Sequence, residues 1–247
     1  VPVVDLMLAF RGLLFTFVLY GAALVFSTLV VLFFWAPFSV RWALAVGWAK
    51  TGLWAGRFLC GLDVHTEGLE NIPDEPCVFY IKHSTALETY GQIAALPPSA
   101  WVLKKELLWL PMFGWSLAVM KSIAIDRKAG GPAVKQVITN GKLKLAAGLS
   151  VCIFPEGTRV PPGETRRYGV SGAALAKEVG CPIVPIAHNA GDFWPKRGLA
   201  KQPGKIRFCI GPPIDASGQR PRETNLIAQD WIETKMSEIS SHYNEKP

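Results

Sequence analysis

Two long apolar stretches dominate the first 60 residues of the chain. Residues 12–36 form a run of 25 without a charged side chain, which exceeds the ~20 residues that a helix needs to cross a bilayer core. Pro37 ends this run, and residues 41–58 form a second apolar stretch that is rich in tryptophan and alanine. The pattern predicts a membrane-embedded unit of two helices over residues 1–60, and a helical hairpin buried in a globular core is the alternative.

The tryptophans of the second stretch extend this prediction. Trp42, Trp48 and Trp54 are expected to lie near the lipid headgroups, where amphipathic aromatic rings are enriched. The length of the first helix leaves open whether it spans the bilayer or re-enters on the same side. The chain begins at Val1, which leaves the position of the true N-terminus open.

From Gly61 onwards, short apolar runs alternate with helical patterns. The runs predicted as strands are Val64–Glu67, Cys77–Ile81, Ala100–Leu103, Ser122–Ile125, Ser150–Phe154, Ile183–Ile186 and Lys205–Ile210. The segments predicted as helices are Thr85–Ala95, Gly131–Ala147, Ser171–Val179 and the amphipathic Glu223–His242. This alternation predicts an α/β domain over residues 61–247, with a mixed, largely parallel sheet flanked by helices.

Charge and cysteine content narrow the classes of function. The net charge of +7 fits a partner that is anionic, such as acidic lipid or a phosphorylated substrate. Nucleic acid is not expected, because the sequence contains no Lys/Arg-rich run and no nucleic-acid motif. The five cysteines are scattered among apolar neighbours without a CxxC pair, so they are predicted to be buried thiols in a reducing compartment, with no disulfide framework and no metal site.

A histidine and a carboxylate follow the predicted strand Cys77–Ile81. They are His83 and Glu88, five positions apart. In one continuous helix such residues point about 140° apart, so they can meet only if His83 lies before the helix and Glu88 in its first turns. The pair would then suit a general base oriented by a carboxylate. The alternative is structural, because Thr85 and Glu88 match a capping box and His83 would be a satisfied interior histidine.

The segment after the strand Ser150–Phe154 is a second candidate for chemistry. Phe154–Arg159 reads Phe-Pro-Glu-Gly-Thr-Arg, and Gly157 permits a tight turn. The planar guanidinium of Arg159 can donate two parallel hydrogen bonds to a phosphate. An ordinary surface turn with an exposed ion pair is the alternative.

Two other strand ends carry less information by themselves. Asp126 and Arg127 end the strand Ser122–Ile125, where a charge pair is commonly a solvated terminus. The strand Ile183–Ile186 leads to His188, to which the sequence assigns no role.

Taken in order, these segments resemble the glycerolipid acyltransferase family, which includes bacterial 1-acyl-glycerol-3-phosphate acyltransferases. The family has a His-x4-acid motif, an aromatic-or-aliphatic-x-x-x-Arg strand end, a Phe-Pro-Glu-Gly-Thr-Arg/Ser block and a Val-Pro-Ile/Val strand. The matching segments here are His83…Glu88, Ile123…Arg127, Phe154–Arg159 and Ile183–Ile186, with Lys104–Leu108 and Pro111–Gly114 similar to a further family segment. The six-residue third block is the specific signal, and the resemblance covers roughly residues 60–215. Glu88 stands where the commonest form of the family has aspartate.

The resemblance implies acyl transfer from an acyl thioester to the free sn-2 hydroxyl of lysophosphatidic acid, which gives phosphatidic acid. It implies His83 as the general base and Glu88 as the group that fixes its tautomer. A covalent route through Ser84 or Cys152 has no supporting triad in the sequence. The residues expected to bind the phosphate and glycerol of the acceptor are Lys104, Arg127, Glu156, Gly157, Thr158 and Arg159.

The same resemblance implies no cofactor and no metal, with acyl-CoA or an acyl carrier protein thioester as the donor. The expected partners are a phospholipid membrane and the lipid substrate, and the expected location is the bacterial inner membrane with the catalytic domain on the cytoplasmic face. Two alternatives stay open. One is an acyltransferase for another lyso-lipid, such as a phosphodiester lysophospholipid or an amino-lipid, and the other is a catalytically silent membrane-binding module.

Overall fold

The computed structural model of the protein describes residues 2–194 and 199–243. The α-helices are α1 (Pro2–Leu32), α2 (Phe38–Cys60), α3 (Leu87–Ala95), α4 (Phe113–Val119), α5 (Gly131–Ala146), α6 (Ser171–Val179), α7 (Ala190–Phe193) and α8 (Pro221–Ile239). The strands are β1 (Leu62–Glu67), β2 (Val78–Ile81), β3 (Ser99–Lys104), β4 (Ile123–Ile125), β5 (Ser150–Ile153), β6 (Ile183–His188) and β7 (Gly204–Ile210).

The seven strands form one sheet in the order β1-β7-β6-β2-β5-β3-β4. The pairings are parallel except for β6 with β7, which run antiparallel. The prediction of a mixed, largely parallel sheet flanked by helices is therefore confirmed. Because β6, β2, β5, β3 and β4 are consecutive and parallel, their carboxyl ends share one edge of the sheet.

Helices cover both faces of the sheet. Successive side chains of a strand point to opposite faces, and in the central strand the side chains on both faces are apolar. On β2, Val78 and Tyr80 join the buried cluster that packs against α5, α6 and α8. Phe79 and Ile81 point to the opposite face and join the cluster formed with α1, α2 and α3. All four side chains are fully buried, so β2 is the centre of a three-layer structure.

The predicted strands and helices are close to those observed. Every predicted strand is present with ends that differ by at most two residues, and α6 has the predicted bounds. The short helices α4 and α7 were not predicted, because a segment of seven residues or fewer carries too little periodicity to identify it. The expected run 12–36 also differs from the observed helix α1, which begins at Pro2 and ends at Leu32.

The helices α1 and α2 form a hairpin that packs on the α3 face of the sheet. Phe15 of α1 is fully buried in a cluster with Leu62 and Tyr90, whereas many other apolar side chains of α1, such as Phe17 and Leu24, are exposed. A Cβ atom at Gly52 would lie 2.4 Å from the Tyr90 ring, so a glycine at this position lets α2 approach α3 closely. The first helix therefore has one narrow buried stripe and a wide exposed apolar face.

The expected headgroup position is wrong for Trp42, and it stays a prediction for Trp48 and Trp54. Trp42 is buried and stacks on Trp101 of β3, with ring centroids 5.4 Å apart. Trp48 packs against Tyr90 at 4.4 Å. Trp42 lies on the side of α2 that meets β3, where burial removes its ring from water, whereas Trp48 is half-buried against α3. Trp54 alone of the three is exposed, with 63% of its surface accessible.

Candidate active site

The candidate residues come together because they follow neighbouring parallel strands. His83 follows β2, the turn 154–159 follows β5, Lys104 ends β3 and Arg127 follows β4. This edge is where ligands bind in open α/β sheets. Within the described residues, a cavity of about 420 Å³ opens there, and its lining includes His83, Lys104, Arg127 and Arg159.

His83 and Glu88 are in direct contact. His83 lies in the loop before α3, and Glu88 is the second residue of that helix, which is the arrangement that the spacing requires. The Nδ1 atom of His83 is hydrogen-bonded to Oε1 of Glu88. Because a carboxylate only accepts, Nδ1 carries the hydrogen and the lone pair of the neutral ring is on Nε2. The ring stacks on Phe154, with centroids 4.0 Å apart, and 14% of the side chain is exposed.

Glu88 also has the capping role that the sequence offered as the alternative. Its Oε2 accepts hydrogen bonds from the backbone N–H of Thr85 at 2.8 Å and of Ser84 at 3.1 Å. The two interpretations of Glu88 are therefore compatible, since one carboxylate oxygen serves the histidine and the other serves the start of α3. A side chain with both roles is held in one rotamer.

A second histidine contacts the same carboxylate. The Nε2 atom of His188, at the end of β6, lies 3.1 Å from Oε2 of Glu88. Burial by itself raises the pKa of the Glu88 carboxyl, but the hydrogen bonds from His188 and His83 and the electrostatic attraction of these N–H groups outweigh burial and lower this pKa to about 2. Glu88 is thus a fully buried carboxylate that stays ionised at neutral pH.

The cavity changes character from its mouth to its interior. Lys104, Arg127 and Arg159 give the mouth a positive charge, and Nη1 of Arg127 donates to the backbone oxygen of Gly157 at 2.5 Å. The apolar side chains of the interior come from α1, α3, β3 and the end of α4, and they include Phe26, Val30, Ile93, Trp101 and Met120. Such a cavity can bind a molecule with an anionic head and an apolar tail.

Glu156 lies beneath the histidine and does not line the cavity. It is 5% exposed, and its Oε2 accepts a hydrogen bond from the backbone N–H of His83 at 3.0 Å. Its Oε1 is 3.1 Å from Nζ of Lys82, which also pairs with Glu233 of α8 at 2.9 Å. Burial raises the pKa of Glu156 to about 7, against the effect of Lys82 and with the help of the Glu88 and Glu233 charges.

The remaining residues considered from the sequence do not line the cavity. Gly157 and Thr158 are exposed on the turn after β5, outside the lining of the cavity. Ser84 and Cys152 are buried and also lie outside that lining, and burial raises the pKa of the Cys152 thiol well above its ordinary value. The geometry therefore favours His83 over either residue as the group that acts on a bound molecule.

Sequence reasoning missed the roles of Lys82 and His188. Both are more than 98% buried, which is unusual for these residue types unless they are paired. A usable signal for His188 existed, because it follows a predicted strand just as His83 does. The sequence did not reveal that β6 pairs with β2 and so brings these two strand ends together.

Comparisons with known proteins show the family and the fold of the chain. Residues 63–189 match the Acyltransferase family. The chain is 44% identical over 239 residues to the 1-acyl-sn-glycerol-3-phosphate acyltransferase of Pseudomonas aeruginosa, which covers 94% of this chain and 92% of that protein. It is 29% identical over 175 residues to the human 1-acyl-sn-glycerol-3-phosphate acyltransferase alpha, which covers 70% of this chain and 62% of that protein. The crystal structure of the LPA acyltransferase PlsC from Thermotoga maritima has the same fold, with a TM-score of 0.78, 21% identity and 96% of each chain covered.

Proposed function

Because the chain belongs to the acyltransferase family, we propose that it transfers an acyl chain from an acyl thioester to the sn-2 hydroxyl of lysophosphatidic acid, giving phosphatidic acid. The observation that carries this proposal is the His83–Glu88 pair at the mouth of a cavity with basic residues outside and apolar residues within. The names of the relatives support the same reaction.

His83 is the general base in the proposed mechanism. A hydroxyl is a poor nucleophile at neutral pH, so Nε2 of His83 takes its proton as the oxygen attacks the thioester carbonyl. The imidazolium that forms is stabilised by the ionised Glu88 at Nδ1. When the tetrahedral intermediate collapses, the proton on Nε2 passes to the departing thiolate sulfur. No acyl-enzyme forms, because both substrates are bound together.

The developing oxyanion needs hydrogen-bond donors, and the turn 154–159 is the proposed source. The backbone N–H of Gly157 already donates to the oxygen of Phe154 at 3.0 Å. The N–H groups of Thr158 and Arg159 have no such partner within the described residues, so they are the proposed donors.

The cations at the mouth of the cavity are proposed to bind the acceptor phosphate. A phosphate monoester carries nearly two negative charges at neutral pH, and Arg127 and Arg159 can each donate two hydrogen bonds to it. Lys104 adds a third positive charge to the same rim. The apolar interior is then the proposed site of an acyl chain, and acyl-CoA or an acyl carrier protein is the proposed donor.

The hairpin of α1 and α2 is proposed as the membrane-embedded unit, over residues 1–60, of an enzyme in the bacterial inner membrane with its catalytic domain on the cytoplasmic face. Leu6–Leu32 of α1 has a mean hydropathy of 2.2, and only 22% of its most apolar stretch is buried. Exposed apolar side chains on it include Phe10, Phe17 and Leu24. Because phosphatidic acid and its precursor lie at the bilayer surface, an anchored enzyme meets its acceptor without extracting it into water.

An acyl-transfer assay with a labelled thioester and several acceptors tests the proposal. Lysophosphatidic acid should be the best acceptor, ahead of lysophosphatidylcholine and of a lyso-lipid without phosphate. His83→Ala should lower kcat by about 10²- to 10⁴-fold, the usual contribution of a general base, with an unchanged unfolding temperature. His65→Ala, at an exposed histidine on β1, is the control and should keep full activity. A better rate with a phosphodiester or phosphate-free acceptor would favour an acyltransferase for another lyso-lipid.

A further inference from the structure

His188 is the last residue of β6, and both of its ring nitrogens contact polar groups of the protein. The side chain is fully buried. Its Nε2 lies 2.8 Å from the backbone oxygen of Lys82 and 3.1 Å from Oε2 of Glu88, while the backbone N–H of Ala190 points to Nδ1 at 3.4 Å. The ring stacks on Phe208 of β7, with an angle of 8° between the planes.

These contacts define the protonation of the ring. The oxygen of Lys82 only accepts hydrogen bonds, so Nε2 of His188 must carry a hydrogen. Nδ1 accepts from the N–H of Ala190, so it carries none. His188 is therefore the neutral Nε2–H tautomer, and its single N–H is shared between the Lys82 carbonyl and the Glu88 carboxylate.

The length of the Glu88 side chain matters for this arrangement. One carboxylate oxygen contacts His83 and the other contacts His188, so the group bridges the ends of β2 and β6. Aspartate would withdraw the carboxylate by about one C–C bond, or ~1.5 Å. A contact of 3.1 Å would then exceed hydrogen-bond range. Glutamate is thus the acid that can contact both histidines.

We propose that His188 is a positioning residue for the acyl-transfer reaction, which holds the Glu88 carboxylate so that Glu88 can orient His83. The three side chains form a chain of contacts, His188–Glu88–His83, that runs from the buried end of β6 to the cavity. His188 does not line the cavity, so it acts only through Glu88. The inference rests on the proposed function, because it assigns His83 the role of base.

Among the described residues, the titratable groups that act on Glu88 are two histidines and one carboxyl. His83 and His188 contact it directly, and Glu156 of the turn after β5 acts on it through its charge. Lys82 faces away and pairs with Glu156 and Glu233. Loss of the His188 N–H would let the Glu88–His83 pair bind its proton more tightly, because a donor that stabilises the carboxylate is gone.

The test uses the full-length protein in detergent or vesicles and two substitutions at one position. His188→Met fills a similar volume without a donor, whereas His188→Gln keeps an amide N–H at about the distance of Nε2. We expect His188→Met to lower kcat by about 10- to 150-fold, the effect of losing one hydrogen bond to a charged group. The KM values for donor and acceptor should stay within a factor of two or so, because the cavity is untouched.

The dependence of kcat/KM on pH separates positioning from packing. Its acid limb should move to higher pH in His188→Met and return towards the wild-type position in His188→Gln. Phe208→Leu is the matched control, since it removes the ring that stacks on His188 and leaves the hydrogen bonds. It should lower the unfolding temperature without moving the acid limb.

A wild-type acid limb in His188→Met, with only a lower unfolding temperature, would overturn the proposal and make His188 a packing residue. A second readout is independent of turnover. In protein labelled with ¹⁵N-histidine, the proton uptake of the His83 ring should shift to higher pH in His188→Met. If the wild type transfers no acyl group but this shift is present, the proposed function fails and the contact between His188 and the His83–Glu88 pair stands.

Discussion

Replacement of Glu156 by glutamine probes the charge beneath His83. Glutamine keeps an oxygen that can accept the hydrogen bond from the His83 N–H, which is 3.0 Å in the structure. It removes the negative charge that lies 3.1 Å from Lys82. Lys82 still has Glu233 at 2.9 Å, so the lysine is not left without a counter-charge. The substitution removes the ionisation of one buried carboxyl and places an amide nitrogen beside Lys82, and only the first of these two changes makes the stability difference depend on pH.

The direction of the effect follows from the pKa of that carboxyl. Burial raises the pKa of Glu156 from its ordinary value of 4.5 to about 7. The folded protein therefore binds this proton more tightly than the unfolded chain does. The stability that results is fully present below pH 4.5 and is lost as the pH rises through 7. Since each tenfold change in a dissociation constant is worth about 1.4 kcal/mol, the total is about 3 kcal/mol.

Thermal unfolding of wild type and Glu156→Gln between pH 4.5 and 8.5 measures this quantity. Wild type loses this stability as the pH rises, whereas the variant does not, because glutamine does not titrate. The free energy of unfolding of the variant relative to wild type should therefore increase by about 3 kcal/mol over that range. For a chain of this size, that corresponds to about 6–12 °C in Tm. Glu178→Gln is the control, because Glu178 is an exposed residue of α6 paired with Lys142, and its difference from wild type should stay nearly constant.

A Tm difference for Glu156→Gln that stays constant with pH would refute this reasoning. A variant that becomes less stable than wild type as the pH rises would show that the ion pair with Lys82 outweighs burial. Glu156 would then be ionised throughout.

Three further results are expected. Glu88→Gln should lower kcat more than Glu88→Asp, because the amide cannot stabilise an imidazolium by charge, and equal rates would leave Glu88 with a capping role only. Arg159→Ala should lower kcat/KM for lysophosphatidic acid by about 10- to 150-fold, from the loss of hydrogen bonds to a charged group, and an effect on the donor thioester alone would contradict phosphate binding. The double variant Phe17→Lys and Leu24→Lys on the exposed face of α1 should reduce co-sedimentation with vesicles, since each lysine in a bilayer core costs about 2.5–3.5 kcal/mol, whereas Leu143→Lys on α5, which is equally exposed, should not.

The sequence determined the local structure of this protein. Apolar runs of four to six residues between turn residues located the strands, because that pattern depends only on which side chains the sheet buries. The spacing of His83 and Glu88 also determined their relation, since two side chains five positions apart meet only when the first precedes the helix. The order of the family motifs in the chain also indicated acyltransferase chemistry.

The tertiary structure decided which side chains share an environment. Glu156 lies beneath His83 because β5 pairs with β2, and His188 reaches Glu88 because β6 pairs with the other side of β2. The first contact joins residues 73 positions apart in the sequence, and the second joins residues 100 positions apart. Periodicity within one segment carries no information about the order of strands in a sheet, and Trp42 shows the same limit, since the face of α2 that meets the sheet is selected by packing against Trp101.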